Sequence, residues 1–212
     1  AGDGDGLTVD SAEHLWVDHC TFVDCDDGSL DITHGSDWVT VSWCRFYYTD
    51  PGNNHRFCNL VGHSDNNAGE DAGKLHVTFH HNLWGNLVHE RMPRVRFGRV
   101  HCYNNYYNCA NNNYCLRAAL ECEVLMEANY FGANVDQPWE YYHDAGQTPG
   151  KIHETGNAFD PTVTGLIPAT DTLTPDPYGL NPPPYAYSAD AAVDVPALVS
   201  GGAGAGRGPF AP

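Results

Sequence analysis

Lysine is almost missing from these 212 residues. Only Lys74 and Lys151 occur, and lysine plus arginine total 10 against 27 acids, a formal net charge of −17. Affinity for nucleic acid comes from many cations spread along a phosphate backbone, so a chain this acidic does not fit that class. Long apolar runs are missing too. No stretch approaches the roughly 18 continuous apolar residues that a membrane span requires, so no membrane partner is expected. The eight cysteines include no C-x-x-C pair, which sets aside the usual zinc spacing. An even count without that spacing reads as a disulfide framework and an oxidising, extracytoplasmic setting.

What the chain does have is a repeat. Val17-Asp-His-Cys-Thr-Phe22, Val41-Ser-Trp-Cys-Arg-Phe46, Phe79-His-His-Asn-Leu-Trp84, Cys102-Tyr-Asn-Asn-Tyr-Tyr107, Met126-Glu-Ala-Asn-Tyr-Phe131 and Glu154-Thr-Gly-Asn-Ala-Phe159 superimpose without gaps. The sixth column is always aromatic. The fourth reads Cys20, Cys44, Asn82, Asn105, Asn129 and Asn157, spaced by 24, 38, 23, 24 and 28 residues. Apolar alternation around Val17 and Val41 makes each unit a strand rather than a helix. Short strands with Gly/Asn turns at this period predict an all-β chain wound as a single parallel β-helix. Stacked asparagines would bond successive backbones, and stacked aromatics would fill the core. Cys20 and Cys44 share a column in adjacent coils, about 4.8 Å apart, and are expected to form a disulfide.

The coil region is expected over residues 1–160. Residues 161–212, rich in Pro, Thr and Asp and ending in a Gly/Ala run, read as an extended segment packed along the helix, then a loose tail. No second domain is expected there.

Two charge clusters stand out. Asp3 and Asp5 precede Leu7-Thr-Val9, and Asp27 and Asp31 flank Gly28-Ser-Leu30 at the corresponding place one coil later. Hard oxygens converging from adjacent rungs suit calcium, although Asp-Gly pairs also form ordinary turns. An EF-hand does not fit, because the flanking loop positions hold alanines. Opposite in sign, four of the ten cations (Arg91, Arg94, Arg96, Arg99) fall within nine residues. On a strand, Arg94 and Arg96 share a face, and Pro93 forces a break or an edge before them. Such a site on an acidic molecule suits a carboxylate or phosphate ligand; a solvated basic face is the plainer reading.

Trp16-Val-Asp-His19, Asp27-Gly-Ser-Leu-Asp31, Val39-Thr-Val-Ser42, Gly62-His-Ser-Asp65, Val77-Thr-Phe-His-His-Asn82, Arg91-Met-Pro-Arg-Val-Arg-Phe-Gly98 and Val100-His-Cys-Tyr-Asn-Asn105 resemble, in this order, the signature segments of pectate lyases of polysaccharide lyase family 1. The resemblance covers residues 3 to 160. It implies a right-handed parallel β-helix and a secreted, monomeric enzyme that cleaves polygalacturonate or pectin by calcium-assisted β-elimination. By the same resemblance Asp5, Asp27 and Asp31 match the calcium-binding acids, and Asp3 matches an acid found in some members. Arg91 matches the arginine taken as catalytic base. Arg96 matches one that contacts substrate or orients the site, and Arg94 is a candidate substrate contact. A lysine usual before the Gly-x-Ser-Asp segment is absent; Arg56 or His55 is expected in its place. Family members carry further coils ahead of these acids, so the chain is read as the C-terminal portion of such a domain. Two other functions stay open: a metal-independent pectin lyase on esterified polymer, and a non-catalytic uronan-binding β-helix.

Histidine is the ordinary rival for a base. His80 and His81 fall in the repeat, so alternation would send one into the coil as a hydrogen-bonded structural residue. His19 is expected to pair with Asp18, and His63 and His89 remain candidate site residues.

Overall fold

The computed structural model describes residues 4–175 and 177–208. Eighteen strands wind into three sheets of six, and every pairing within them is parallel. The first sheet contains Leu7–Asp10, Leu30–Thr33, Leu60–Val61, Arg94–Val95, Leu116–Ala118 and Trp139–Tyr141. The second runs from Trp16–Asp18 through Val39–Ser42, His76–His80, Arg99–Tyr103 and Glu123–Glu127 to Lys151–Thr155. The third is built from Thr21–Val23, Arg45–Tyr47, Leu83–Trp84, Tyr106–Tyr107, Tyr130–Phe131 and Ala158–Phe159. The chain is therefore an all-β parallel β-helix, as the repeat predicted.

Each repeat column becomes a ladder along the axis. Phe22, Phe46, Trp84, Tyr107, Phe131 and Phe159 stack with ring centroids 5.0, 5.6, 4.9, 4.6 and 5.2 Å apart. On the second sheet Val39, Val77, Val100, Val124 and Ile152 lie in register, all buried, because β-branched side chains suit a pleated surface. The asparagine column closes the polar accounting of the coil. Asn82 N donates to Asn105 Oδ1 at 3.0 Å, and Asn105 N and Asn129 N donate to the Oδ1 atoms of Asn129 and Asn157 at 2.9 Å. Buried backbone donors at this corner would otherwise cost about 1–3 kcal/mol each.

Between the second sheet and this ladder, one residue per coil turns the chain with positive φ: His19, Trp43, His81, Asn104, Ala128 and Gly156. Only one of the six is glycine, so side-chain contacts must hold the others in a conformation that costs of order 1–3 kcal/mol. His19, Trp43 and His81 stack on one another at 5.8 and 4.4 Å, outside the coil. His19 Nδ1 also meets Asp18 Oδ2 at 2.6 Å, the expected pairing. Neither His80 nor His81 enters the coil. Phe79 takes the inward position, while the His80 ring packs on Tyr103 and His81 Nε2 meets Asp190 Oδ2 at 2.9 Å.

The Cys20–Cys44 disulfide is not formed, and all eight cysteines are free thiols. Neighbours in register on parallel strands project their Cβ atoms side by side at about the 4.8 Å strand spacing. A disulfide takes Cβ atoms about 3.8 Å apart. The Cys44 thiol instead donates to Val17 O, and the Cys20 thiol to Asp18 O.

After Phe159 the chain runs back over the second sheet. The Tyr185 hydroxyl meets Thr78 Oγ1 and His101 Nδ1, and Tyr187 donates to Glu127. A helix over Val195–Gly202 then places Val195, Val199 and Ala203 against Leu83, Tyr106 and Tyr130. The Gly/Ala run is not loose. Gly204 N donates to Trp43 O, Ala205 N donates to Thr21 Oγ1, and a Cβ on Gly202 would stand 2.5 Å from the Trp43 ring. No helix among the described residues is long and apolar enough to cross a membrane.

This covered histidine row gives the fold an acid limit. Burial, and then the neighbouring His81, push His80 from 6.5 down to about 4; burial also lowers His81 and His101. Below pH 6.5 the unfolded chain takes up protons that folded His80 refuses. Stability is therefore complete above that pH and falls toward pH 4, by on the order of 2–3 kcal/mol from His80. Denaturant titrations at pH 7.5 and 4.5 should show this loss, and His80→Gln should remove that part of it.

Candidate active site

The first sheet and the turns that lead into it gather both charge clusters. Inward positions such as Ile32, Val61 and Val95 fill the core, so the intervening side chains face out. Register places Asp31 next to Thr8, Arg94 next to Leu60, Arg117 next to Arg94, and Glu140 next to Arg117. One outer row thus runs from acid to paired arginines and back to acid.

At its acidic end, Asp5 Oδ1 accepts from Gly28 N and its Oδ2 from the Thr8 hydroxyl, both at 2.8 Å. Asp31 Oδ1 accepts from Leu60 N at 2.9 Å. A Cβ on Gly28 would stand 2.6 Å from Asp31 Oδ1 and 2.9 Å from Asp5 Oδ1. Glycine therefore leaves open a small space into which two carboxylates point. Burial first, and then the charges of Asp5 and Asp27, push Asp31 up to about 7, against the Leu60 N–H hydrogen bond and, more weakly, the charge of Arg91. Asp27 Oδ1 meets His55 Nε2 at 2.7 Å. Among the described residues no group of three or more His, Cys, Asp or Glu side chains is gathered for a metal ion. Asp5 and Asp31 fit a hard cation at Gly28; Asp27 would complete the set only on leaving His55. Asp3 lies outside the described residues.

At the basic end the arginines differ. Arg91 sits at φ 64° with its guanidinium 4.4 Å from the centre of the Phe57 ring. The Nε atoms of Arg56, Arg91 and Arg94 are all buried without a hydrogen-bond partner, and none of the three forms an ion pair among the described residues. Burial lowers Arg94, and the charges of Arg96, Arg117 and Arg91 lower it further. Arg96 is engaged instead: Nε donates to Asp65 and Nη1 to Gly62 O at 2.9 Å. Arg99 serves the backbone, with Nη1 donating to Phe97 O and Glu121 O. His63 packs on His34, and His89 faces Glu90.

Three neighbours escaped the sequence reading. Arg117 donates to Glu140 and lies 3.9 Å over Tyr114 and 4.9 Å over Tyr142, whose ring also faces Arg94. The repeat could have found Arg117, since it stands one coil after Arg94. Asp65 was visible as part of Gly62-His-Ser-Asp65 but had no partner assigned. Tyr142 follows the last strand of the sheet and carried no signal.

A family model described as pectate lyase matches residues 1–207. The chain is 35% identical over 230 residues to a pectate trisaccharide-lyase of Thermotoga maritima, covering 97% of this chain and 59% of that protein. It is 48% identical over 128 residues to pectate lyase E of Dickeya chrysanthemi, covering 50% of this chain and 30% of that one. Among solved structures, a variant pectate lyase from Xanthomonas campestris superposes with a TM-score of 0.78 at 26% identity, over 97% of this chain and 65% of the other. A Bacillus pectate lyase in complex with trigalacturonate gives 0.76 at 26% identity, over 97% and 64%. The chain spans 59% of the length of its Thermotoga relative. With seven ordered motifs, a three-sheet parallel coil and a family model over nearly its whole length, this chain belongs to the pectate lyase family.

Proposed function

We propose that this chain carries the catalytic face of a secreted pectate lyase, acting on polygalacturonate by β-elimination with Arg91 as base and calcium as cofactor. The observation that supports this best is that Arg91 acts electrostatically on Asp31, beside the carboxylate space at Gly28, while the Nε atoms of Arg56, Arg91 and Arg94 have no hydrogen-bond partner. A half-buried cation without a counterion is costly, and the carboxylates of a uronan would relieve that cost. When bound at Asp5, Asp31 and Asp27, calcium supplies charge that neutralises the sugar carboxylate and so acidifies the adjacent C–H bond.

Arg91, in its neutral form, takes that proton, and the electron pair becomes the new carbon–carbon double bond. The glycosidic carbon–oxygen bond breaks, and the departing sugar oxygen is protonated by water. Arg94 and Arg56 bind neighbouring carboxylates, and Arg96, fixed by Asp65, keeps the row oriented. A guanidinium is protonated at ordinary pH, so a base of this kind works in alkaline solution. A wall polymer as substrate places the protein outside the cell. All the named residues lie on one chain, so a monomer suffices. The test is ultraviolet absorbance of the unsaturated product on polygalacturonate. Activity should rise with calcium and vanish with a chelator. Chelator-insensitive activity on esterified pectin would overturn the reading in favour of a pectin lyase; tight binding without product would favour a non-catalytic uronan-binding coil.

A further inference from the structure

We propose that Cys109 and Cys115, free thiols in this structure, close to a disulfide under oxidising conditions and staple the turn beside the arginine row. The two residues close the ends of the turn Ala110–Tyr114, and their sulfurs lie 3.7 Å apart. They belong to one coil and meet across a turn, so their sulfurs approach each other. Cys20 and Cys44 instead stand one above the other at successive corners, just before Thr21–Val23 and Arg45–Tyr47. Around them, Cys109 Sγ lies 3.6 Å from the Met92 thioether, and Cys115 Sγ accepts from the Asn112 amide at 3.4 Å.

Both residues are fully buried, and burial, with Cys109 alongside, pushes the Cys115 thiol well above its ordinary value. Disulfide exchange needs access to the thiolate, and both sulfurs are shut away from solvent, so the bond must form while the chain folds. A low-molecular-weight disulfide is the oxidant. One cysteine thiolate attacks it to give a mixed disulfide and one released thiol. The second cysteine then displaces the other half, so two thiols are oxidised as one external disulfide is reduced to two thiols. An external oxidant of this kind is expected only if the protein folds outside the cytoplasm, the one point at which this inference rests on the proposed function.

The staple bears on the site from two sides. Cys115 O accepts from Met92 N at 2.7 Å, next to Arg91, and Tyr114 carries the Arg117 guanidinium. Fixing the turn fixes both.

The test needs no substrate, so its failure is separable from failure of the lyase reading. The full chain is refolded from guanidinium in a reduced/oxidised glutathione buffer, then its thiols are counted under denaturing conditions. Two fewer than the eight are expected, with the Cys109 and Cys115 peptides recovered joined and two hydrogens lighter. Dithiothreitol should lower Tm by roughly 5–10 °C in the wild type and not in Cys109→Ser. Eight free thiols, or a linkage that leaves Cys109 and Cys115 open to alkylation, would overturn the proposal; this holds even if Cys109→Ser fails to fold.

Discussion

Arg91→Lys lowers kcat on polygalacturonate by about a thousandfold, equivalent to about 4 kcal/mol, while oligogalacturonate affinity stays within a few fold. The split follows from where Arg91 sits. Lysine keeps the positive charge and the same backbone preference at φ 64°, so the coil and the electrostatic attraction survive. What is lost is a planar group packed 4.4 Å over Phe57, whose position sets the reach of its nitrogens. An ammonium on a flexible stem cannot reproduce that placement. Steady-state kinetics at alkaline pH and calorimetric titration of an oligogalacturonate check the two halves. A kcat within tenfold of wild type would move the base to another group, with His55 and His89 the residues to substitute next.

Asp31→Asn gives two effects of opposite sign. Calcium affinity falls by about a hundredfold or more, since a carboxylate charge beside a divalent ion is worth several kcal/mol at the effective dielectric of a protein surface. Yet the metal-free chain becomes more stable. Asp31 is a buried carboxylate crowded by Asp5 and Asp27, and an amide oxygen can still accept from Leu60 N without the charge. Terbium luminescence or calorimetry reads the first effect, and thermal unfolding in chelator reads the second. Unchanged affinity would remove Asp31 from the cation site. A lower Tm in chelator would make it a structural acceptor instead.

These two residues also show how far a sequence can be read. The coil was legible because a parallel β-helix repeats the same environment every turn, so Asn82, Asn105 and Asn129 recur at coil spacing and must bond one another. Arg91 and Asp31 stood out as candidates through motif and charge. The division of labour among the arginines was not legible. Arg94 and Arg96 share a strand face in the one-dimensional pattern, yet Arg96 is consumed by Asp65 and Gly62 while Arg94 stays unpaired. That outcome depends on Asp65, which lies 31 residues earlier and meets Arg96 only because the coils stack.

The histidines carry the same lesson. Alternation sends one of His80 and His81 inward only if the strand continues through both. At His81 the backbone turns to φ 56°, and Phe79 already holds the core position. Nothing in the local pattern announces a left-handed corner at His19, Trp43 or Ala128, because glycine, the usual marker, is present at Gly156 alone in that column.

By itself the sequence determined the coil and its two ladders, because periodic residues have periodic neighbours. Tertiary structure alone decided which thiols face each other, which arginines remain unpaired, and that Asp27 rests on His55 rather than on Asp5 and Asp31. Those outcomes hang on contacts between turns of unequal length. Turn length varies from coil to coil, and no repeat encodes it.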